Sequence, residues 1–280
     1  MKTTFLVLAS VVSSLQCSGA EISTFHAYID SDLCARLMLG PITTARTECT
    51  EKTYKEGSNP VVVRLKDNTV LSVNKEKMLK PHVAKFAEVS GEAKLSAGTI
   101  KLQSVTPEEA GAIPQGDPAR KLMDIRTYKA MNSQTSEKIR HELAMMPYIT
   151  VYDFISFTTT GSDVILTGWT VRITNRSEAF NRIKSIEGVG TITNNIEVLP
   201  LGSNDMQIRA GARAALQRHL GRYFWGSGSD IKIVVKDGNI ILLGSVASKM
   251  DFDLATIQAN AVPFAFHVFN LLQIRTPKKG

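Results

Sequence analysis

The sequence predicts an α+β protein: a small β-barrel-like domain followed by two tandem αββαβ modules, each with helices on one face of a three-stranded sheet. The main observation is an internal repeat, because residues 162–198 match residues 238–274 at a constant offset of 76 residues without a gap. Apolar positions, one glycine and one asparagine coincide, which indicates that one small module is present twice. The second observation is a series of short alternating segments before residue 105, a pattern typical of small β-barrels.

The opening residues have the pattern of an export signal. A basic start is followed by an apolar run at residues 5–12 and by small residues at 18–20. We therefore expect residues 1–20 to be a cleaved signal peptide and the mature protein to be periplasmic or secreted. A lipid anchor on Cys17 is the less favoured alternative, because Gln16 stands where a small residue is needed.

Two further cysteines, Cys34 and Cys49, are expected to form one disulfide in an oxidising compartment. Closing this short loop stabilises the fold by roughly 3 kcal/mol, and two buried free thiols are the alternative. Two sulfurs without a neighbouring histidine pair do not provide four zinc ligands, so we predict neither a metal nor a cofactor.

Composition places the chain among globular proteins with a basic balance. Hydrophobic residues make up 43% of the chain, and the formal net charge is +7. For an exported protein, the expected counter-charge is an anionic lipid or polysaccharide rather than nucleic acid.

The segment before residue 105 predicts the barrel-like domain, at residues 21–105. Five strands are expected, and they lie at residues 25–29, 60–65, 69–73, 87–94 and 99–105. A short helix is predicted at 75–80, where Asn74 caps it and Pro81 limits it. This arrangement resembles a small OB-like domain of exported bacterial proteins.

Acidic residues near the first strand could hold a cation weakly. Asp30 and Asp32 lie close to His26, although capping and turn roles are favoured for such aspartates. After this domain, prolines and glycines at residues 106–134 predict a linker.

Both modules have the order helix, strand, strand, helix, strand. We expect the first module at residues 135–200, with helices at 136–146 and 176–186. The second module is expected at 203–276, with helices at 205–220 and 251–261. Modules of roughly 65 residues have small cores, so the two copies are expected to pack together.

The repeated pattern resembles the BON domain, a bacterial envelope module usually found in tandem. The matching glycines and asparagines, which we interpret as structural, are Gly168, Gly188, Asn194, Gly244 and Asn270. The second copy departs from the motif at Phe264-Ala265, where glycine and valine are expected. The resemblance implies an exported protein that binds phospholipid or other envelope components, often linked to envelope integrity or osmotic stress.

One segment has the profile of a membrane-binding surface. Arginines flank an apolar stripe on the helix that begins the second module, and three aromatic residues follow it. Such a pattern suits an anionic bilayer. The candidate lipid-binding residues are Arg209, Arg213, Arg218, Arg222, Tyr223, Phe224 and Trp225. The alternative is an ordinary amphipathic helix that packs its stripe on its own sheet and buries the aromatic residues.

We find no catalytic pattern. His141-Glu142 begins an HExxH motif, but Met145 occupies the position of the second histidine. We therefore expect a non-enzymatic envelope protein that binds anionic phospholipid surfaces or envelope proteins. The alternative is a periplasmic protein- or glycan-binding adaptor that uses the OB-like domain. The oligomeric state stays open.

Overall fold

The computed structural model describes residues 22–38, 42–109, 133–225 and 229–275. The predicted signal peptide with Cys17, and most of the predicted linker, lie outside these residues. None of the helices in the described part is long and apolar enough to cross a bilayer.

The N-terminal unit is a closed five-stranded barrel, which confirms the predicted β-barrel-like domain. Its strands run β1-β2-β3-β5-β4 around the barrel, and β3 pairs with β5 in parallel. They are β1 (Ile22–Ser31), β2 (Pro60–Arg64), β3 (Thr69–Val73), β4 (Phe86–Lys94) and β5 (Thr99–Pro107). Alternate strand residues point inward and fill the barrel with small and branched side chains, such as Ile29, Val62, Leu71, Val89 and Leu102.

Two helices of the barrel unit were not predicted: α1 (Asp32–Leu37) and α2 (Thr44–Lys55). The second is rich in threonine and charged residues, so it carries no apolar stripe for sequence reasoning to detect. The predicted helix at 75–80 is instead two 3-10 turns, Glu76–Met78 and Lys80–His82. The prediction that Asn74 is a helix cap is wrong, because its Oδ1 accepts a hydrogen bond from the amide of Leu102 at 3.1 Å.

A disulfide and a buried ion pair hold α2 against the barrel. Cys34 of α1 is bonded to Cys49 of α2. Asp30 and Arg46 are both fully buried, and Arg46 Nε donates to Asp30 Oδ2 at 2.8 Å. Burial raises the pKa of the Asp30 carboxyl, although Arg46 and a hydrogen bond from Thr50 oppose this shift. Asp30 therefore has a structural role.

The other members of the suggested cation site also have protein partners. Asp32 accepts from Arg36 at 2.8 Å, and His26 Nδ1 lies 2.9 Å from Glu108. No group of three or more metal-ligating side chains occurs in the described residues.

The first module repeats the predicted order of elements. It contains α3 (Ser133–Ala144), β6 (Phe154–Thr160), β7 (Asp163–Thr170), α4 (Ile173–Ile183), β8 (Ile192–Asn194) and β9 (Glu197–Val198). β6 is antiparallel to β7, while β8 and β9 both run parallel to β7 and together form an interrupted third strand. Both helices cover one face of the sheet, where Ile139, Leu166, Ala179 and Ile183 form the centre of the core.

The second module has the same architecture. It contains α5 (Ser203–Leu220), β10 (Ile231–Lys236), β11 (Asn239–Val246), α6 (Lys249–Asn260), β12 (Val268–Asn270) and β13 (Gln273–Ile274). Its core is larger, and β12 and β13 again pair in parallel with the central strand. The tandem αββαβ prediction is therefore confirmed.

The shared glycine has a steric reason. Gly168 and Gly244 have φ angles of 116° and 106°, in the left-handed region that disfavours side chains. A Cβ at either position would overlap a carbonyl oxygen of the neighbouring strand, that of Phe154 or Asp230 respectively. Glycine therefore allows the central strand to pass close to its partner.

The shared asparagine bridges the interruption in the third strand to a helix. Asn194 donates to the carbonyl of Arg176 at 2.9 Å and accepts from the amide of Ile196 at 3.2 Å. Asn270 makes equivalent bonds to Phe252 and Leu272. Each asparagine thus satisfies one backbone amide that the interrupted ladder leaves unpaired and ties it to a carbonyl of the neighbouring helix.

The barrel and the two modules meet at one apolar junction. Leu33 of α1, Trp169 of β7 and Phe269 of β12 are buried in the same cluster. Glu197 links all three units, because it pairs with Lys236 at 2.8 Å and with Arg36 at 3.7 Å and accepts from Trp169 Nε1 at 3.2 Å. The two copies thus pack together, and the barrel packs on both.

Candidate functional site

The helix that carries the candidate arginines packs its apolar stripe on the sheet of its own module. Ile208, Ala212, Leu216 and Leu220 of α5 are all buried in the core of the second module. For the apolar side chains, the structure therefore agrees with the alternative of an ordinary amphipathic helix that packs on its own sheet. The flanking arginines then decide whether the outer face can bind a ligand.

Arg209 does not belong to an external surface, contrary to its predicted lipid-binding role. It is only 4% exposed, and its guanidinium donates to the carbonyl of Val235 at 2.9 Å and to that of Pro200 at 3.3 Å. Burial lowers its pKa, partly offset by the nearby charge of Asp205. Arg209 instead links Pro200, in the segment that connects the modules, to Val235 in the sheet of the second module.

The aromatic triplet divides between core and solvent. Tyr223 is buried, and its hydroxyl donates to Asp251 Oδ2 at 2.8 Å, which removes Tyr223 from the candidate surface. Phe224 is half-buried against the core of the module. Trp225 is 80% exposed and follows directly on the 3-10 turn Gly221–Phe224.

An ion pair holds Arg222 in place beside Trp225. Its Nη2 donates to both carboxylate oxygens of Asp251, at 2.5 and 2.6 Å. Burial opposes ionisation of Asp251, but hydrogen bonds from Ser248, Tyr223 and Arg222 outweigh this effect and lower its pKa. Asp251 is therefore ionised at neutral pH, and it positions an otherwise exposed guanidinium.

The fold adds two residues to this surface that sequence reasoning missed. The start of α6 lies beside the end of α5. Arg222, which follows α5, binds Asp251 in the first turn of α6. The neighbouring Lys249 is exposed, and Met250 is 75% exposed. We call Arg218, Arg222, Trp225, Lys249 and Met250 the basic-aromatic end. No local signal joins 218–225 to 249–250, because only tertiary packing brings them together.

Arg213 and Arg218 are exposed on the outer face of α5. No salt bridge of either residue is present in the described ranges. These two arginines therefore remain compatible with the predicted role, although Arg213 lies more than one helical turn from the basic-aromatic end.

A second exposed apolar group lies near the opposite end of α5. Phe264 and Phe266 are 76% and 74% exposed and line an open cavity of about 750 Å³ together with Asp205 and Asp237. Phe264 has a φ angle of 68°, which is strained for an aromatic residue. The motif departure at Phe264 thus adds an exposed aromatic ring beside that of Phe266.

Exposed apolar side chains are concentrated in the second module. Large exposed hydrophobic residues in its elements and turns are Met206, Trp225, Met250, Ile257, Phe264, Phe266 and Ile274, against Met145, Tyr148 and Ile173 in the first. Such an uneven distribution is typical of an interaction surface.

Comparisons with known proteins identify the repeated module. The BON domain family matches residues 132–200 and 204–276. A search of curated proteins gives no match. The C-terminal domain of CdsD, a structural protein of the type III secretion system of Chlamydia trachomatis, is similar at 14% identity and a TM-score of 0.21, over 51% of this chain and 65% of that chain. A second CdsD structure from the same organism gives 10% identity and a TM-score of 0.23, over 52% of this chain and 95% of that chain.

The family matches cover half of the sequence and coincide with the two αββαβ modules. Both contain the glycine and the asparagine whose structural reasons are given above. The chain therefore belongs to the BON domain family, as a tandem BON protein with an N-terminal five-stranded barrel.

Proposed function

We propose that this protein is a non-enzymatic component of the bacterial envelope that binds anionic phospholipid through its second BON domain. The observation that carries the proposal is the exposure of Trp225 beside an arginine held by an ion pair. Family membership supports the envelope setting, and the basic composition suits an anionic surface.

The expected binding is weak and peripheral. Each basic residue near an anionic bilayer contributes about 1 kcal/mol, but Asp251 and Asp253 partly neutralise Arg222 and Lys249. Arg213 and Arg218 are then the main sources of attraction. An indole and a thioether can enter the interfacial layer, so Trp225 and Met250 add an apolar contribution.

The first BON domain has only part of this combination, in which Tyr148 is exposed and Arg172 lies 5.8 Å from its ring centre. Its helix α3 carries the exposed pair Glu137–Arg140, and Glu142 pairs with Arg182 of α4 at 3.2 Å. Positive charges on this face are thus balanced within the domain. We infer that the first domain supports the second rather than binding lipid itself.

Vesicle co-sedimentation tests the proposal. The double variant Trp225→Ala/Arg218→Ala should lose most binding to vesicles that contain phosphatidylglycerol, and the wild type should bind neutral phosphatidylcholine vesicles only weakly. The matched control is Tyr148→Ala/Arg140→Ala, which removes an exposed aromatic ring and an exposed arginine from the first domain.

The control should bind as the wild type does. Equal loss in both double variants, or no loss in the first, would reject this surface. Binding to envelope components that persists without residues 203–280 would favour the adaptor alternative.

A further inference from the structure

The barrel packs along the third strand of both BON domains, but the cavity at the second domain, about 200 Å³, is smaller than the cleft at the first. At the second domain, Lys52 of α2 donates to the carbonyl of Asn270 at 2.6 Å and lies 5.4 Å from the ring centre of Phe252. At the first domain, a cleft of about 470 Å³ separates the β2–β3 hairpin from the third strand. Interdomain clefts of this size are common ligand sites.

Three positions account for the difference between the seams. Arg176, Thr193 and Asn195 line the larger cleft. At the repeat offset of 76 residues they correspond to apolar residues, namely Phe252, Phe269 and Leu271. Phe269 is buried in the junction, and Leu271 packs against it. The second copy thus uses this face for packing, while the first copy keeps it polar and accessible.

Arg176 offers a positive charge to the cleft. It is exposed, and its guanidinium donates to the carbonyl of Asn194 at 3.4 Å. Within the described part of the chain it forms no ion pair with a carboxylate. A guanidinium in this position suits an oxyanion, with which it can form two parallel hydrogen bonds.

Asn68 lies on the opposite wall of the cleft. Its φ angle of 58° belongs to the left-handed region, so the hairpin holds the side chain in an uncommon conformation. The side-chain amide of an asparagine on a cleft wall can form a hydrogen bond with a hydroxyl group of a ligand.

The two carboxylates of the cleft are already paired with basic side chains of the protein. Asp67 is paired with Arg64, and Glu197 is paired with Lys236 and Arg36. Each carboxylate is thus neutralised by a basic partner, so a negative group of the ligand can pair with Arg176.

We propose that this cleft binds a sugar acid, a ligand that presents several hydroxyl groups and one carboxylate. The carboxylate contacts Arg176, and the hydroxyl groups contact Asn68, Thr193 and Asn195. The site uses the barrel and the first BON domain, so it is independent of the proposed lipid surface.

Isothermal titration of the mature chain tests the site with three probes: glucuronate, glucose and inorganic phosphate. Glucuronate should bind at least about tenfold more tightly than either of the others, because glucose lacks the charge and phosphate lacks the hydroxyl pattern. Arg176→Gln and Asn68→Gly should each weaken glucuronate binding by about tenfold. Glycine accepts the φ angle of Asn68, so the second variant removes the side-chain amide without backbone strain.

The matched control is Arg140→Gln, which removes an exposed arginine of the same domain outside the cleft. It should bind glucuronate as the wild type does. Glucuronate binding that is absent, that equals glucose binding, or that survives Arg176→Gln would overturn the proposal. Equal affinity for phosphate would overturn the assignment of a sugar acid. Unchanged melting temperatures of the variants show that they are folded.

Discussion

The two BON domains share a backbone but differ at the surface. The residues that coincide in both copies, such as Gly168 and Gly244, relieve a steric conflict inside the sheet. Many of the residues that differ are exposed or lie at the seams with the barrel. Glycines 188 and 190 of the first domain, for example, correspond to Phe264 and Phe266 of the second.

This difference indicates how a duplication can divide tasks. Backbone constraints are the same in both copies, because the strands approach each other in the same way. Surface residues are free to change, and here they produce an apolar, partly basic second domain and a polar cleft beside the first.

The largest effect is expected at the shared glycine. Gly168→Ala and Gly244→Ala should each lower the free energy of unfolding by about 3 kcal/mol or more, because the methyl group meets a backbone carbonyl at a left-handed φ angle. Urea denaturation measures the loss. Gly161→Ala is the control, since its φ angle is also positive but no atom lies within contact distance. Tolerance at only one of the shared sites would show that the two sheets differ.

The shared asparagine should matter more in the second domain. Asn270 is buried and bonds to Phe252, Thr256 and Leu272, whereas Asn194 is half-buried and bonds to two backbone groups. Asn270→Ala should therefore cost about 2 kcal/mol and Asn194→Ala about 1 kcal/mol of stability. Chemical denaturation of both variants gives the ranking. An equal cost, or the reverse order, would contradict the role assigned to burial.

The turn between α6 and β12, which contains Phe264, should be less stable than the equivalent turn of the first domain, which contains Gly188. Phe264→Gly should raise the free energy of unfolding by about 1 kcal/mol, because glycine accepts the left-handed conformation. Phe264→Ala is the control, since it removes the ring but keeps a Cβ at the strained position. Thermal denaturation compares the variants. A destabilised glycine variant would mean that the ring contributes packing that offsets its backbone strain.

The smallest effect is a pH dependence confined to the second domain. The pKa of Asp251 is lowered in the folded state, so its stabilising effect is present above about pH 4 and is lost as the pH falls through the lowered value. The first domain has Asn175 at the corresponding position. Melting temperatures of wild type and Asp251→Asn should therefore converge as the pH is lowered below 4. A constant difference at all pH values would show that ionisation of Asp251 is not the cause.

Periodicity and motif spacing predicted the αββαβ order well, because both report constraints that act between near neighbours in the chain. The same reasoning failed for α2, whose threonine-rich sequence carries no apolar stripe. That helix depends on Cys49 and on the Asp30–Arg46 pair, which are long-range contacts. Pattern reasoning cannot detect a helix that distant partners stabilise.

The candidate site was predicted only in part for a similar reason. An arginine beside an apolar stripe can point to solvent or bend under a neighbouring strand, as Arg209 does. Tyr223 and Trp225 are two positions apart, yet one binds Asp251 and the other is exposed. Both residues are aromatic and lie in the same short segment, so packing against α6 decides which ring is buried.

The sequence alone determined the duplication, the element order and the positions where only glycine or asparagine serves the backbone. Those features follow from local sterics and from hydrogen bonds that an interrupted strand must recover. Tertiary structure decided which arginines reach solvent, how Glu197 joins three units, and why the cleft at the first domain is the larger one. These outcomes depend on which surfaces meet, and residues far apart in the chain supply the two sides of each contact.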